Sequence, residues 1–158
     1  MEKHDKAKKA QSPDSVNIGL VNPKSASNVG GVLRAAGCYG ASQVYYSGKR
    51  FEFAAKYHTD TQNSLDEIPL DGIESFADFE TEHTVVCVEL AEGAIPLPEF
   101  KHPQNALYIF GPEDGNIPQK VVDRAHATVY VPTIGCMNLA ATVNVLLYDR
   151  LAKTQQAI

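Results

Sequence analysis

Two short apolar segments in the last third of the chain are each followed by a polar loop and then by a helical pattern. The first segment, Ala106 to Phe110, leads into the loop GPEDGN at residues 111–116. The second, Thr128 to Val131, leads into the loop PTIGCMN at residues 132–138. Strands that alternate with helices are typical of α/β folds with a parallel sheet. Ligands of such folds bind beyond the carboxyl ends of the strands, so both loops are candidate sites.

The same alternation extends over the rest of the chain. Apolar segments predict further strands at residues 16–21, 43–47 and 84–88. Helical patterns occupy residues 27–41, 74–80, 118–127 and 138–152, whereas residues 48–71 are irregular. The sequence therefore predicts an α/β fold in which helices flank a mostly parallel sheet.

The helix predicted at residues 138–152 is unusually apolar. Between Leu139 and Leu147 most side chains are aliphatic. A helix that is apolar almost all round is expected to be buried on more than one side. We therefore expect it either to pass through its own domain or to form a subunit interface.

Composition and charge limit the class of protein. The 158 residues are 44% hydrophobic and carry a net charge of −5, which suits one globular domain. We assign this domain to residues 16–158. The polar tail of residues 1–15 is expected to be disordered, and its excess of lysine makes a weak contact with a polyanion the alternative.

The sequence predicts a cytoplasmic protein without membrane attachment. No apolar stretch has the length of a membrane span, and the N-terminus lacks the apolar core of a signal peptide. The three cysteines, Cys38, Cys87 and Cys136, are odd in number and widely spaced. This spacing argues against a disulfide framework or a zinc site and is typical of a reducing compartment.

Common cofactor and metal signatures are missing. The chain has no G-x-G-x-x-G after its first strand, no P-loop, no H-E-x-x-H and no G-x-S-x-G. Glu113 and Asp114 could form a metal pair, but adjacent acids in a Gly-Pro turn more commonly serve the turn or cap a helix. We therefore expect no metal site.

The first predicted helix combines an apolar stripe with two adjacent glycines. Val29, Val32, Leu33 and Ala36 share one face, and Arg34 lies off that face, on the side of Gly30. The glycines are most simply explained by tight packing, with Arg34 as an ordinary surface residue. The functional alternative is an anion or a backbone that approaches over Gly30, with Arg34 reaching the same place.

Three separate blocks match one protein family in the same order. They are Asn28-x-Gly30-x-x-x-Arg34; Ile109 to Glu113 followed by Ile117-Pro118; and Val131-Pro132 with residues 136–139 and the apolar helix to Tyr148. With these blocks the sequence resembles the SpoU (TrmH-like) branch of the SPOUT RNA methyltransferases. Any one block is weak, but the ordered set is specific and spans most of residues 16–152.

The resemblance implies a C-terminal trefoil knot, a homodimer and S-adenosylmethionine as the methyl donor. A knot could be expected only from such a resemblance, because knots are rare exceptions among folds. In the family the donor lies in the knot, where backbone groups largely hold its adenine. By position, this implies a cofactor site formed by Glu89, Leu90, Gly111, Val131, Cys136 and Asn138.

The implied reaction is methyl transfer to RNA, most often to a ribose 2′-hydroxyl, with S-adenosylhomocysteine as product. Arg34 resembles the family's catalytic arginine, and Asn28, Glu113 and Asn138 would complete the catalytic group. A guanidinium is nearly always protonated, so we expect Arg34 to position the substrate phosphate and stabilise negative charge. The RNA, a tRNA or rRNA, would contact Arg34, Lys49, Arg50 and Lys56.

The sequence departs from the family pattern at three positions. Asn116 replaces a glycine, Cys136 replaces a serine, and Ala140 replaces another serine and so removes a hydroxyl. Two other functions therefore stay open. One is a catalytically silent RNA-binding protein with the same knotted fold, and the other is a SPOUT enzyme that methylates a base.

Overall fold

The computed structural model describes residues 14–55 and 68–154. Most of the predicted polar tail and the predicted RNA contact Lys56 lie outside these residues. Asp14 and Ser15, which belong to the predicted tail, are described, and Ser15 is the first residue of a strand.

The described residues form a seven-stranded sheet. Its strands are β1 (Ser15–Leu20), β2 (Gln43–Ser47), β3 (Leu70–Ile73), β4 (Thr84–Val88), β5 (Ile95–Pro96), β6 (Asn105–Phe110) and β7 (Ala127–Tyr130). The order across the sheet is β3-β2-β1-β6-β4-β7-β5, and every pair of neighbours is parallel. The predicted α/β class is confirmed.

Within residues 14–55 and 68–154, four α-helices accompany the sheet: α1 (Ala26–Cys38), α2 (Arg50–Ala55), α3 (Gln119–Arg124) and α4 (Leu139–Thr154). Helix α1 begins after Ser25, whose hydroxyl accepts a hydrogen bond from the Asn28 amide at 3.2 Å. Its predicted stripe of Val29, Val32, Leu33 and Ala36 is buried. Gly40, with φ of 71°, follows the helix in the left-handed conformation that glycine adopts readily.

The helix predicted at residues 74–80 is wrong. The chain turns after β3 instead, and the Ser75 hydroxyl accepts a hydrogen bond from the Ala77 amide at 3.1 Å. Such a local bond competes with helix formation. Phe76 packs so closely on the sheet that a Cβ atom at Gly19 would lie 2.7 Å from its ring. The apolar residues of this segment therefore pack individually on the sheet and do not form one face of a helix.

The core lies on both faces of the sheet. On one face α1 and α4 pack on alternate strand residues such as Ile18 and Tyr108. On the other face Phe76 and residues of α3 pack on Leu107 and Ile109. Because both faces are covered, β6 is buried from Ala106 to Phe110, as is usual for strands of parallel sheets.

Buried polar groups anchor the end of α4. Arg150 is only 5% exposed and donates hydrogen bonds to the carbonyls of Pro103 at 2.6 Å and Gln104 at 2.9 Å. It also pairs with Asp14 at 2.5 Å. A buried guanidinium needs such partners, because an unpaired buried charge is costly. These contacts fix α4 against the start of β1 and the chain that enters β6.

Helix α4 is buried on one side within the single chain. Leu139, Val143 and Leu146 are buried, whereas Val145 is 39% and Tyr148 is 61% exposed. The expectation of burial on more than one side is therefore not met by the chain's own contacts. Across residues 14–55 and 68–154, we find no helix with the length and apolarity needed to cross a membrane.

Candidate functional site

Three loops lie side by side at the carboxyl edge of the sheet, because β6, β4 and β7 are neighbours. The Glu89 amide donates to the Val129 carbonyl at 2.9 Å. The Glu89 carboxylate accepts a hydrogen bond from the Ile117 amide at 2.9 Å. The loops after β4 and β6 are thereby joined. This edge brings the predicted residues Glu89, Gly111 and Val131 into one region.

The turn after β6 depends on a glycine at its start. A Cβ atom at Gly111 would lie 3.2 Å from the Ile117 backbone nitrogen, closer than most side chains come. Gly111 therefore allows the loop of residues 111–117 to fold back on itself. Asn116, which replaces the family glycine, does not have a positive φ, so this turn does not need glycine at that position.

Exposed apolar side chains stand at the ends of two neighbouring strands. Leu90, after β4, is 81% exposed, and Ile134, after β7, is fully exposed. Cys136 is exposed as well. Exposed large apolar groups near strand ends are typical of surfaces that a ligand or a partner covers. This edge therefore presents backbone groups and apolar side chains to a ligand.

Glu113 connects the loop after β6 to the start of α1. Its carboxylate accepts hydrogen bonds from the Lys24 amide at 3.1 Å and the Ser25 amide at 2.9 Å. It also accepts one from Asn28 Nδ2 at 3.2 Å. A negative group at a helix N-terminus is favourable, since unpaired amides and the helix dipole meet there.

These hydrogen bonds determine the charge state of Glu113. Burial alone would raise the pKa of its carboxyl, but donation from the Lys24 amide, Asn28 and the Ser25 amide holds that pKa below the ordinary glutamate value. Hydrogen bonds to the charged form stabilise that form. Glu113 is therefore an anion that orients neighbouring donors at neutral pH.

Asn138 extends this arrangement to the loop after β7. Its Nδ2 atom donates to Asn28 Oδ1 at 2.9 Å, and its Oδ1 atom accepts from the Ala141 amide at 3.1 Å. Asn138 thus caps α4 while it orients Asn28, whose amide in turn contacts Glu113. Three of the four predicted catalytic residues form one hydrogen-bonded chain.

Arg34, the fourth predicted catalytic residue, is exposed on α1. It follows Asn28 by six residues, or about 9 Å along the helix axis. A Cβ atom at Gly30, four residues before Arg34, would meet nothing within 4 Å. At Gly31 it would lie 2.8 Å from the Ala140 side chain. Gly31 therefore serves the packing of α1 on α4, and Gly30 leaves open surface on α1.

Arg50 also binds the loop that follows β6. Its guanidinium pairs with both oxygens of Asp114, at 2.8 and 2.9 Å, and donates to the Asn22 carbonyl at 2.7 Å. Donation from Arg50 lowers the pKa of Asp114 to about 2. Glu113 and Asp114, the two adjacent acids of this loop, thus have different hydrogen-bonding partners.

Positively charged side chains border the site beside the Arg50–Asp114 pair. Lys24, Lys49, Arg50, Phe53 and Ala54 line an open hollow of about 400 Å³. The sequence predicted Lys49 and Arg50 here but missed Lys24, whose backbone amide also binds Glu113. A lysine one residue before the cap of α1 was the available signal. Among the described residues, no group of three or more histidine, cysteine or acidic side chains could hold a metal ion.

Comparison with solved structures shows the same fold in RNA-modifying enzymes. The TrmH/SpoU tRNA modifying enzyme of A. aeolicus has a TM-score of 0.76 and 16% identity over 90% of this chain and 77% of that one. A structure that gives insight into the 2-OH methylation of C/U34 on tRNA has a TM-score of 0.71 and 22% identity over 96% and 99% of the two chains.

A third similar structure contains a cofactor. The SpoU methyltransferase AviRb from Streptomyces viridochromogenes, in complex with AdoMet, has a TM-score of 0.75 and 18% identity over 92% of this chain. The chain spans 60% of the length of that protein. No curated protein matches the sequence significantly.

Identities this low show likeness of fold alone, but the match to a family model goes further. The model of the SpoU rRNA Methylase family matches residues 15–148. This stretch runs from the start of β1 into α4 and includes all three sequence blocks. The chain therefore belongs to the SpoU rRNA methylase family.

Proposed function

We propose that this protein transfers a methyl group from S-adenosylmethionine to a ribose 2′-hydroxyl of a tRNA or rRNA. The observation that carries the proposal is the hydrogen-bonded chain of Glu113, Asn28 and Asn138. In a member of the SpoU family, it joins α1 to two loops at the carboxyl edge of the sheet. One similar structure concerns the 2-OH methylation of C/U34 on tRNA, and another is a complex with AdoMet.

The residues at this edge fit the methyl donor. When bound, S-adenosylmethionine supplies a methyl group activated by a positively charged sulfur. Backbone groups of Glu89, Gly111 and Val131 would hold the nucleoside, and the exposed Leu90 side chain would cover its apolar surface. Cys136 and Asn138 would complete the site from the loop after β7. Backbone recognition combined with apolar contact suits an edge that exposes Leu90 and Ile134.

Arg34 would act on the RNA. Because a guanidinium group is nearly always protonated, that of Arg34 would bind the phosphate next to the target ribose and stabilise negative charge on the attacking oxygen. Open surface over Gly30 leaves room for that phosphate on the same side of α1. Asn28, Glu113 and Asn138 would fix the end of α1 and so position Arg34 relative to the cofactor loops.

Further cations would bind the RNA backbone outside the reaction centre. Lys49 is exposed and is suited to a phosphate contact, and we retain Lys56 as a contact on sequence grounds. Arg50 would contribute less to RNA binding than Lys49, because its charge is already paired with that of Asp114. Phosphate contacts position a protein on RNA without reading its sequence.

We further propose a homodimer and a knotted C-terminus. The exposed face of α4, with Val145 and Tyr148, would pack on a second subunit. Strands β6 and β4 separate β1 from β7 in the sheet, yet Asn138, which follows β7, contacts Asn28, which follows β1. A passage of residues 131–138 through the connection between β4 and β6 would form the trefoil knot.

One observation favours a catalytically silent RNA-binding protein as the second candidate. Ala140 carries no hydroxyl, and its side chain faces Gly31 at the contact between α1 and α4. If the family's serine at this position takes part in the reaction, that function is absent here. Retention of Arg34, Asn28, Glu113 and Asn138 favours the enzyme.

Calorimetric titration with S-adenosylmethionine and with S-adenosylhomocysteine tests the proposal. We expect saturable binding of both, near one ligand per subunit, and unchanged binding to the Arg34→Ala variant, which should lose methyl transfer. No binding of either ligand, with or without bulk RNA, would leave only the silent candidate. An Arg34→Ala variant with full transfer would refute the role of Arg34.

A further inference from the structure

A second hollow lies at the carboxyl edge of the sheet, beyond the ends of the neighbouring strands β1, β2 and β3. Its lining includes Asn22 after β1, Lys49 after β2, Glu74 after β3 and Val121 of α3. Its volume of about 430 Å³ is within the range of about 300–1,000 Å³ for small-ligand sites. The proposed cofactor residues follow other strands, β4, β6 and β7. The second hollow is therefore a separate candidate site at the edge where α/β sheets bind ligands.

The second hollow combines an apolar floor with a charged rim. Val21, Phe76 and Val121 line it and are buried. Lys49 and Glu74 line it and are exposed. An apolar floor suits a planar ring, a lysine suits a phosphate, and a carboxylate suits a hydrogen-bond donor on the ring. We propose that the second hollow binds an unpaired nucleotide of the substrate RNA whose base carries an exocyclic amino group.

The shape of the second hollow is fixed by contacts within the chain. Asn22 has φ of 44° and Gly48 has φ of 81°, and a Cβ atom at Gly48 would overlap the Asn22 side chain. The Asn22 amide donates to the Ser47 hydroxyl at 3.3 Å, and the Asn22 carbonyl accepts from Arg50 at 2.7 Å. Asn22 is therefore held through its backbone and its side chain, so the hollow is formed before a ligand binds.

Glu74 selects the base in this arrangement. A carboxylate only accepts hydrogen bonds, so it suits the amino group of cytosine, adenine or guanine. Uracil has no amino group, and the N–H of its ring lies between two carbonyl oxygens that a carboxylate repels. Ser47, which is only 8% exposed, can donate its hydroxyl proton to an acceptor on the base. The second hollow therefore favours a base with an amino group over uracil.

Lys49 supplies the contact with phosphate. It lines the second hollow and also the neighbouring hollow that contains Lys24. Positive charge shared by two neighbouring hollows suits an RNA backbone, which continues from one nucleotide to the next. Phosphate contacts are the same for every base, so Lys49 adds affinity while Glu74 provides selectivity.

The second hollow is connected to the proposed catalytic group. Arg50 donates to the Asn22 carbonyl at 2.7 Å and to Asp114 at 2.8 Å. Asp114 directly follows Glu113, which accepts a hydrogen bond from Asn28. A nucleotide in the second hollow would therefore lie close to the nucleotide that is methylated. This inference rests on the proposed RNA methyltransferase function, and it adds selection of a neighbouring base.

Fluorescence anisotropy with fluorescein-labelled oligocytidylate and oligouridylate of equal length tests base selection without the methyl donor. The wild type should bind oligocytidylate about tenfold more tightly, which corresponds to one hydrogen bond to a charged group. Glu74→Gln should remove most of this preference, because an amide both donates and accepts. Asp78→Asn is the matched control and should keep the preference, since Asp78 is also an exposed acid after β3 but does not line the hollow.

The salt dependence of the same binding curves tests the role of Lys49. Lys49→Ala should weaken the binding of both RNAs by the same factor and should reduce the salt slope by about 0.7. The ratio between the two RNAs should not change. A ratio that falls to one in Lys49→Ala would contradict the separate roles of Lys49 and Glu74.

Three results would overturn the inference as a whole. They are a wild type that binds neither RNA or binds both equally, a preference that Glu74→Gln retains, and a preference that Asp78→Asn loses to the same extent. Cytidine monophosphate that displaces oligocytidylate at equal nucleotide concentration would assign the hollow to a free nucleotide and likewise refute it. Binding of S-adenosylhomocysteine reports separately on the proposed function, so either idea can fail alone.

Discussion

Asn138 donates a hydrogen bond to Asn28 over 2.9 Å, although the two residues lie 110 positions apart. The bond joins the start of α1 to the start of α4. Because Asn28 also contacts Glu113, the loops after β6 and β7 share one orienting group. The relation explains why asparagine is suited to both positions: its amide donates on one side and accepts on the other.

Asn138→Ala should lower the free energy of unfolding by about 1 kcal/mol, because α4 loses its cap. Asn144→Ala is the matched control, since Asn144 lies exposed on α4 and its side chain donates to the Ala140 carbonyl of the same helix. A double-mutant cycle of Asn28→Ala and Asn138→Ala, followed by urea unfolding, should give a coupling of about 0.5 kcal/mol or more. Strictly additive effects would contradict the link.

Glu113→Gln should destabilise the protein by about 1 kcal/mol at neutral pH, because exposed charge-assisted hydrogen bonds are replaced by neutral ones. The folded-state pKa of Glu113 is lowered. Its contribution is therefore present above the unfolded pKa and is lost as pH falls through the folded pKa.

Urea unfolding of the wild type and of Glu113→Gln between neutral pH and about pH 3 checks this prediction. The difference between them should shrink in acid. Glu80→Gln is the control, because the Glu80 side chain is 92% exposed. A difference that stays constant with pH would show that the carboxylate charge has no part in holding α1.

Gly31→Ala should destabilise the protein by about 1–3 kcal/mol, because the new Cβ atom would lie 2.8 Å from the Ala140 side chain and force α1 from α4. Gly30→Ala should instead stabilise the protein by about 0.5–1 kcal/mol, since nothing lies near its Cβ position. If RNA approaches over Gly30, the same variant should slow methyl transfer. Equal thermal stability of the two variants would refute this division of roles.

Arg50→Ala should raise the pKa of Asp114 from about 2 toward the ordinary aspartate value, since donation from Arg50 is the main cause of the shift. Carboxyl-detected NMR titration measures this directly. Arg124→Ala is the control, because Arg124 is paired loosely with Glu80 at 4.0 Å. An Asp114 pKa that is unaffected by Arg50→Ala would mean that the Arg50–Asp114 ion pair does not persist in solution.

Regular patterns allowed much of the fold to be predicted from sequence. The stripe on α1 and the buried strand β6 follow directly from the spacing of apolar residues. Strand β3 and helix α2 were missed because their residues are half-exposed and show no clear period. The wrong helix at residues 74–80 has a physical cause, since Phe76 and Phe79 contact each other edge-on and pack on the sheet individually.

The candidate site residues were proposed from the sequence, whereas their contacts with one another could not be. The sequence blocks indicated Asn28, Glu113 and Asn138, but their hydrogen bonds depend on the order of strands across the sheet. The roles of the Lys24 and Ser25 amides could not be predicted, because backbone donors leave no mark in the sequence. Of the two explanations offered for the Gly30–Gly31 pair, close packing applies at Gly31, whereas the approach of an anion over the open surface at Gly30 stays a prediction.

The most direct test of the proposed function is nucleoside mass spectrometry of RNA after reaction with the protein and S-adenosylmethionine. The RNA should come from cells that lack the protein, so that its sites are unmodified. We predict a new 2′-O-methylated nucleoside with the wild type and none with Arg34→Ala. A methyl group found on a base, or no new methylation with a wild type that binds the RNA, would contradict ribose methylation by this protein.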